Sequence, residues 1–381
     1  MSNVHQVKDQ KQREALNKWA GATAVGSIIA GTGFGKSRCG VLATKWALKN
    51  GGRALVLVPT TQLQAQFEDE FHKWDAGHLL DSIDIMCYQS AYKLRGEHYA
   101  IVVCDEVHLG ISEQYRKFFQ NNTYDKILCM TATIPEDEEY RNYLMQLAPI
   151  RFHLSLDECV KLGLVSPYEI VCIPLELNDE DKEKYKEAQL KFVRSKYLIG
   201  EFDTFNAAKM ILAKKMQGNA GAAKRFFEAI RERTSVINHA SVKIDQAKEL
   251  IKQHTDDKIL VFTGSNKFSD SMAESLGAFV YHSGLTKKQR EVALENFRGT
   301  DGGVLCSTKA LNQGFDVPDA SIGIIAGLNS KSLPMIQRVG RLLRLSTDDK
   351  VGKIYILYIK DSQEEKWLKN AVKTLNNVTW L

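Results

Sequence analysis

The chain has 381 residues, 44% of them apolar and 25% charged, with a net charge of +5 at pH 7. That balance is that of a soluble globular protein long enough for two domains, and no apolar run approaches the about 20 residues that cross a bilayer. Seven cysteines (Cys39, Cys87, Cys104, Cys129, Cys159, Cys172, Cys306) make an odd set with no C-x-x-C pair, mostly in apolar runs, which excludes a disulfide framework and a zinc site and indicates a reducing, cytoplasmic setting.

The start, Met1 to Gln12, is polar and of mixed charge, unlike a signal peptide. Val7 to Ala20 reads as a helix with Ala15, Leu16 and Trp19 on one face. Ala24 to Ile29 reads as a buried strand, and Cys39 to Leu48 has helical apolar spacing. Between them lies Ala30-Gly31-Thr32-Gly33-Phe34-Gly35-Lys36-Ser37. A glycine-rich turn between a strand and a helix N-terminus cradles phosphate, because its backbone N–H groups and the helix dipole both face an anion. The glycines allow positive φ and close approach, Lys36 suits the β- and γ-phosphates, and the Ser37 hydroxyl suits Mg²⁺. Ala30 stands where the usual pattern has glycine, a position that needs only a small residue. The bland alternative is a glycine-rich turn with an incidental lysine.

Ala54 to Val58, closed by Pro59, reads as a buried parallel strand, followed by a helix over Thr61 to Trp74. Ile83 to Cys87, Ala100 to Cys104 and Lys126 to Met130 are further strands. The second runs into Asp105-Glu106-Val107-His108 and the third into Thr131-Ala132-Thr133. The alternation predicts a doubly wound parallel sheet, in which ligands bind at the carboxyl ends of strands. Asp105 there suits Mg²⁺, and Glu106 beside it can take a proton from an attacking water. A solvated acidic turn is the bland alternative.

After an apolar strand over Tyr168 to Leu177, Asn178 to about Ser241 is helical and charged. Thr204 to Lys243 holds eight Lys/Arg (Lys209, Lys214, Lys215, Lys224, Arg225, Arg231, Arg233, Lys243) against two acids, Glu228 and Glu232. This is either a solvated face or an electrostatic footprint for a phosphate backbone. Strands then resume at Lys258 to Phe262, Ala278 to Tyr281, Gly303 to Cys306, Ile322 to Ala326 and Lys353 to Tyr358, predicting a second sheet domain. Gln337-Arg338-Val339-Gly340-Arg341-Leu342-Leu343-Arg344 puts three arginines on a short amphipathic helix. Arg341 and Arg344 suit stabilisation of γ-phosphate charge if the two domains face each other.

Together the ordered segments AGTGFGKS (30–37), VPTTQL (58–63), DEVH (105–108), TAT (131–133), STKALNQGFDVP (307–318) and QRVGRLLR (337–344) resemble the superfamily 2 helicases, of the DExH type, over nearly the whole chain. Residues 164–188 are similar to the junction in UvsW-type, XPB-type and restriction-translocase-like DNA enzymes. The resemblance implies two tandem RecA-like domains, 1–153 and 154–381, with the basic helical insert (about 178–241) in the second. It implies ATP with Mg²⁺ as cofactor: Gln12 reading adenine; Gly31, Thr32, Gly33, Phe34, Gly35, Lys36 and Ser37 holding phosphate; Ser37 and Asp105 holding the metal; and Glu106 as general base. Gly314 and Asp316 would meet the ribose, and Gln337, Arg341 and Arg344 would complete catalysis. His108, Thr131 and Thr133 would couple hydrolysis to the strand, while Thr60, Ser90, Thr263, Ser283 and Thr308 would contact sugar-phosphate without reading sequence.

The function so implied is an ATP-dependent nucleic-acid motor in which hydrolysis alternates two grips on one strand. DNA is the expected partner over RNA, with replication, recombination or repair proteins beside it, no membrane, and a monomer close to a minimal motor. An RNA helicase, a fork-remodelling or annealing translocase and a nucleotide-switched binding protein are the alternatives. Glu106 and the paired arginines speak against a mere switch.

Overall fold

The computed structural model describes residues 3–31, 33–132, 134–135, 137–164, 167–200, 203–308, 320–329, 336, 351–373 and 375–381. The chain divides into two compact bodies, the first running to Pro167 and the second starting at Tyr168.

In the first body, helix α1 (Asn3–Gly21) leads into β1 (Val25–Ala30), α2 (Lys36–Ala47), β2 (Ala54–Val58), α3 (Thr61–Lys73), β3 (Ile83–Cys87) and the single-turn α4 (Tyr88–Ala91). There follow β4 (His98–Tyr99), β5 (Ile101–Cys104), α5 (Arg116–Asn121), β6 (Thr123–Tyr124), β7 (Ile127–Thr131), α6 (Glu138–Leu147), β8 (Ile150–Leu154) and α7 (Leu156–Lys161). The main sheet has the order β3-β2-β5-β7-β1-β8, and every pairing in it is parallel. β2, β5 and β7 are buried along their whole length, as expected of strands covered by helices on both faces. α1 is seated by Ala15 and Trp19, both buried, and the Trp19 indole donates to the Ile127 carbonyl at 2.9 Å.

In the second body β9 (Tyr168–Leu175) precedes three helices, α8 (Asp179–Ile199), α9 (Thr204–Leu212) and α10 (Ala220–Asn238). α11 (Val242–Lys252), β10 (Lys258–Phe262), α12 (Asn266–Leu276), β11 (Phe279–Tyr281), α13 (Lys287–Arg298), β12 (Gly303–Ser307), β13 (Ala320–Ile325), β14 (Gly352–Ile359), α14 (Gln363–Val372) and β15 (Val378–Trp380) complete it. The sheet order is β11-β12-β10-β13-β14-β9-β15, again parallel throughout. Both expected parallel sheets are therefore present. Four strands go beyond the expectation: β4 and β6, which pair only with each other, and β8 and β15 in the main sheets. β8 and β15 each lie at a sheet edge, where Arg151 and His153, or a three-residue run, leave little apolar pattern to read.

The helices between β9 and α11 have their own small core, in which Ala208, Ile211, Ala223 and Phe226 are buried and Phe192 stacks on Phe226 at 5.2 Å. α8 starts at an Asn178 cap with Asp179, Glu180 and Asp181 in its first turn and ends at Gly200, φ 73°, so both ends are satisfied by local chemistry. The basic surface expected here is smaller than the sequence suggests. Lys243 is wholly buried, and Arg233 is buried with its guanidinium 4.3 Å from the Phe192 ring. The other six basic side chains of that stretch are exposed.

Candidate active site

The phosphate loop follows β1, whose last five residues are buried. Gly33 and Gly35 take φ of 83° and 82°, the left-handed region that penalises a side chain. At Gly35 space also requires glycine, because a Cβ there would collide with the Gln12 amide. Gly35 is the N-cap of α2 and supplies no side-chain cap, so no capping side chain occupies the N-terminus of this 12-residue helix, an end that suits an anion. Lys36 is buried, with its ammonium donating to the Ala30 carbonyl at 2.9 Å. Gly31 and Phe34 are buried too, and the Phe34 ring stacks on Phe152 at 5.6 Å. Phe34 can therefore serve the loop only through its backbone. Ser37, in the first turn of α2, is half-buried.

Gln12 departs from the expected base-reading pose. It is 1% exposed, and its amide nitrogen donates to the carbonyls of Phe34 at 2.6 Å and Gly35 at 3.3 Å. Its amide oxygen accepts from Arg38, whose guanidinium also pairs with Asp9 at 2.7 Å and lies 4.3 Å from the Trp74 ring. Both ends of the amide are thus spent on holding the loop. Sequence reasoning missed Arg38 and Trp74, which carry no motif.

At the end of β5 the Asp105 N–H donates to the Leu57 carbonyl at 2.8 Å, which registers the acid against β2. Asp105 is buried, and its pKa is pushed up to about 7, by burial first and by Glu106 next, with Lys36 opposing. Glu106 sits at φ 45°, a left-handed non-glycine residue, a costly conformation of a kind found at functional sites. Its carboxylate accepts from the Thr131 hydroxyl at 3.3 Å and lies 3.4 Å from His108 Nδ1, which is itself 2.9 Å from that hydroxyl. The structure thereby gathers Glu106, His108 and Thr131, three residues from two strand ends.

Of the expected strand contacts in the first body, Thr60 caps α3 from a half-buried position with its hydroxyl oxygen buried and unpartnered, and Ser90 is exposed. In the second body Ser283 is exposed, whereas Thr308 is buried and donates to the Asn266 side chain at 3.1 Å. Thr263 needs correction as a surface contact. It is 2% exposed, its N–H donates to Ser307 at 2.8 Å and its hydroxyl to the Ser265 carbonyl at 3.1 Å. The exposed part of that turn is Gly264. Thr32, Thr133, Gly314, Asp316, Gln337, Arg341 and Arg344 lie outside the described residues.

The donor set fits a phosphate-bound Mg²⁺. Among the described residues no three His, Cys, Asp or Glu side chains gather as a metal cage. A hydroxyl and one or two carboxylates are what Mg²⁺ takes from protein when substrate phosphates supply other ligands.

The family model described as type III restriction enzyme, res subunit, matches residues 7–136, and that of the helicase conserved C-terminal domain matches 242–346. The chain belongs to the superfamily 2 helicases. It is an ATP-dependent nucleic-acid motor. Similar to it is the DNA 3'-5' translocase XPB2 of Sulfurisphaera tokodaii, 27% identical over 87% of this chain and 77% of that protein. The DNA 3'-5' helicase XPB of Kineococcus radiotolerans is 20% identical over 96% of this helicase and 62% of its own length. In fold the helicase resembles the Pyrococcus furiosus Hef helicase domain, with TM-score 0.57 and 17% identity over 93% of this chain and 96% of that one. Among the described residues no helix is long and apolar enough to cross a membrane.

Proposed function

We propose that this helicase acts on DNA, and that the phosphate loop and the Asp105–Glu106 turn form its hydrolytic centre. Lys36 and the N–H groups of the α2 N-terminus bind the phosphates of ATP. Ser37 and Asp105 hold Mg²⁺, which when bound offsets charge on the phosphates. Glu106 takes the proton of the attacking water on its carboxylate, and Thr131 and His108 hold that carboxylate in place. Gln337, Arg341 and Arg344 are assigned the γ-phosphate, and Gly314 and Asp316 the ribose, on their motif positions alone. Ser90, Thr60, Ser283 and Thr308 are assigned to the sugar-phosphate backbone.

The observation that carries this reading is the acid pair, Asp105 buried and Glu106 half-buried beside it. At Asp105, burial and the second acid outweigh Lys36 and the Glu106 N–H, which favour its charge. A divalent cation removes that deficit. The DNA assignment is supported by the DNA translocase and DNA helicase similar to this chain over most of its length. The test is ATP hydrolysis measured with no polymer, single-stranded DNA, forked DNA and RNA, with Lys36→Ala as blank. Stimulation by DNA and not RNA, lost in the variant, is expected. A rate that no polymer changes would overturn the motor reading, and stimulation by RNA alone would overturn the DNA assignment.

A further inference from the structure

We propose that Tyr88 is a positioning residue that links strand occupancy at the Gln89–Ser90 turn to the Asp105–Glu106 carboxylates. The inference rests on the motor reading above and extends it to a residue outside every motif. α4 is a single turn in which Tyr88 and Ala91 face inward and Gln89 and Ser90 face solvent. The Tyr88 hydroxyl donates to the Asp105 carbonyl at 2.9 Å. Its ring stacks on Tyr115 at 6.1 Å and fills the space over Gly110, where any Cβ would strike it. Tyr115 and Gly110 both follow the Asp105–His108 turn in sequence, so the phenol is gripped by the segment it bonds. Burial holds the phenol pKa well above its usual value, so the hydroxyl remains a donor throughout the working range.

Asp105 is consequently held from two sides, its N–H by Leu57 of β2 and its carbonyl by Tyr88. Each side runs directly to a candidate strand contact. β2 leads through Pro59 to Thr60, and Tyr88 lies two residues before Ser90 in the same turn. The two turns are themselves joined, because the Gln89 amide donates to the Pro59 carbonyl at 3.2 Å. The next residue after the doubly held peptide is Glu106 in its left-handed conformation. A backbone in a sparsely populated region persists only while its surroundings impose it. A strand that shifts the α4 turn therefore alters one of the two restraints on the Asp105 peptide, from which the left-handed Glu106 follows. A tyrosine serving only to fill the core would lose nothing as phenylalanine; here the hydroxyl is the link.

The test is Tyr88→Phe in the full chain, with kcat and KM for ATP measured without polymer and at saturating single-stranded DNA, and DNA affinity measured by anisotropy. Both KM and DNA affinity are expected within about twofold of wild type, while the ratio of stimulated to basal kcat falls about tenfold. Equal loss in both rates would make Tyr88 merely structural, and an unaltered ratio would overturn the link. If wild type itself shows no stimulation, the motor reading fails and takes the inference with it. Amide exchange of wild type gives a check that needs no variant: DNA should change protection at Glu106 and Val107, and unchanged protection there would refute the coupling.

Discussion

In the second body, Lys243 at the start of α11 and Glu364 at the start of α14 are both 0% exposed, with the ammonium 2.7 and 2.9 Å from the two carboxylate oxygens. The ammonium also donates to the Ala326 carbonyl at 2.9 Å, and the carboxylate accepts the N–H groups of Leu328 at 3.3 Å and Ile359 at 2.9 Å. The pair therefore ties α11 and α14 to the ends of β13 and β14. Lys243→Met leaves a buried carboxylate with two backbone donors, a change that costs about 3–5 kcal/mol. Lys243→Met with Glu364→Leu removes both charges and should recover most of that loss. pH separates the single variants. Burial raises the Glu364 pKa, so the folded state holds that proton more tightly than the unfolded chain. Stability then rises as pH falls through the folded pKa, and the Lys243→Met deficit shrinks from pH 8 to pH 5. Burial lowers the Lys243 pKa, so the folded state sheds that proton first. The Glu364→Gln deficit should therefore grow as pH falls from 9 to 6. Amide exchange of Ile354 to Leu357 in β14 reads the second body alone. A Lys243→Met loss under about 1 kcal/mol, or the same pH slope in both variants, would refute a buried charged pair.

Gly35→Ala combines a left-handed φ with a clash against the Gln12 amide, and should lower stability by about 1–2 kcal/mol while weakening ATP and ADP alike in a fluorescent-nucleotide titration. Asp105→Asn should abolish hydrolysis yet raise the melting temperature. The folded pKa of about 7 lies above the unfolded one, so the ionised acid opposes folding as pH rises through that interval. The gain should accordingly be larger at pH 8 than at pH 5, and calorimetry at the two values checks it.

What the sequence made legible was local. β2 reads as a strand of the right length because Ala54 to Val58 is uniformly apolar and Pro59 ends it. The phosphate loop and the Asp105–Glu106 turn are legible because their chemistry is carried by adjacent residues. What escaped was non-local. Gln12 finds its place through Arg38, which is 26 positions away, and Lys243 finds Glu364 across 121. In the sequence Lys243 counts as one more basic residue on a charged stretch; only the fold removes it from the surface. Tyr88 sits in a short run with no motif, and its significance lies in a bond to a backbone carbonyl 17 residues on, a partner that carries no side-chain signal.

Three of the residues assigned to chemistry depart from local rules. An ordinary buried aspartate is paired, yet Asp105 keeps a raised pKa beside a second acid. Glu106 takes a φ that glycine or asparagine would adopt at lower cost. α6, α7, α8, α12 and α13 begin at side-chain caps, while α2, like α3, α4, α5 and α11, does not, and its N-cap Gly35 has no side chain to offer. Each departure leaves a need that a bound group meets: a cation for the acids, a phosphate for the α2 N–H groups. The surrounding sheet, with β2, β5 and β7 wholly buried, supplies the rigidity that holds these unfavourable states. Binding of Mg²⁺ and ATP should then stabilise the first body more than its contacts alone suggest, because it relieves costs built into the fold.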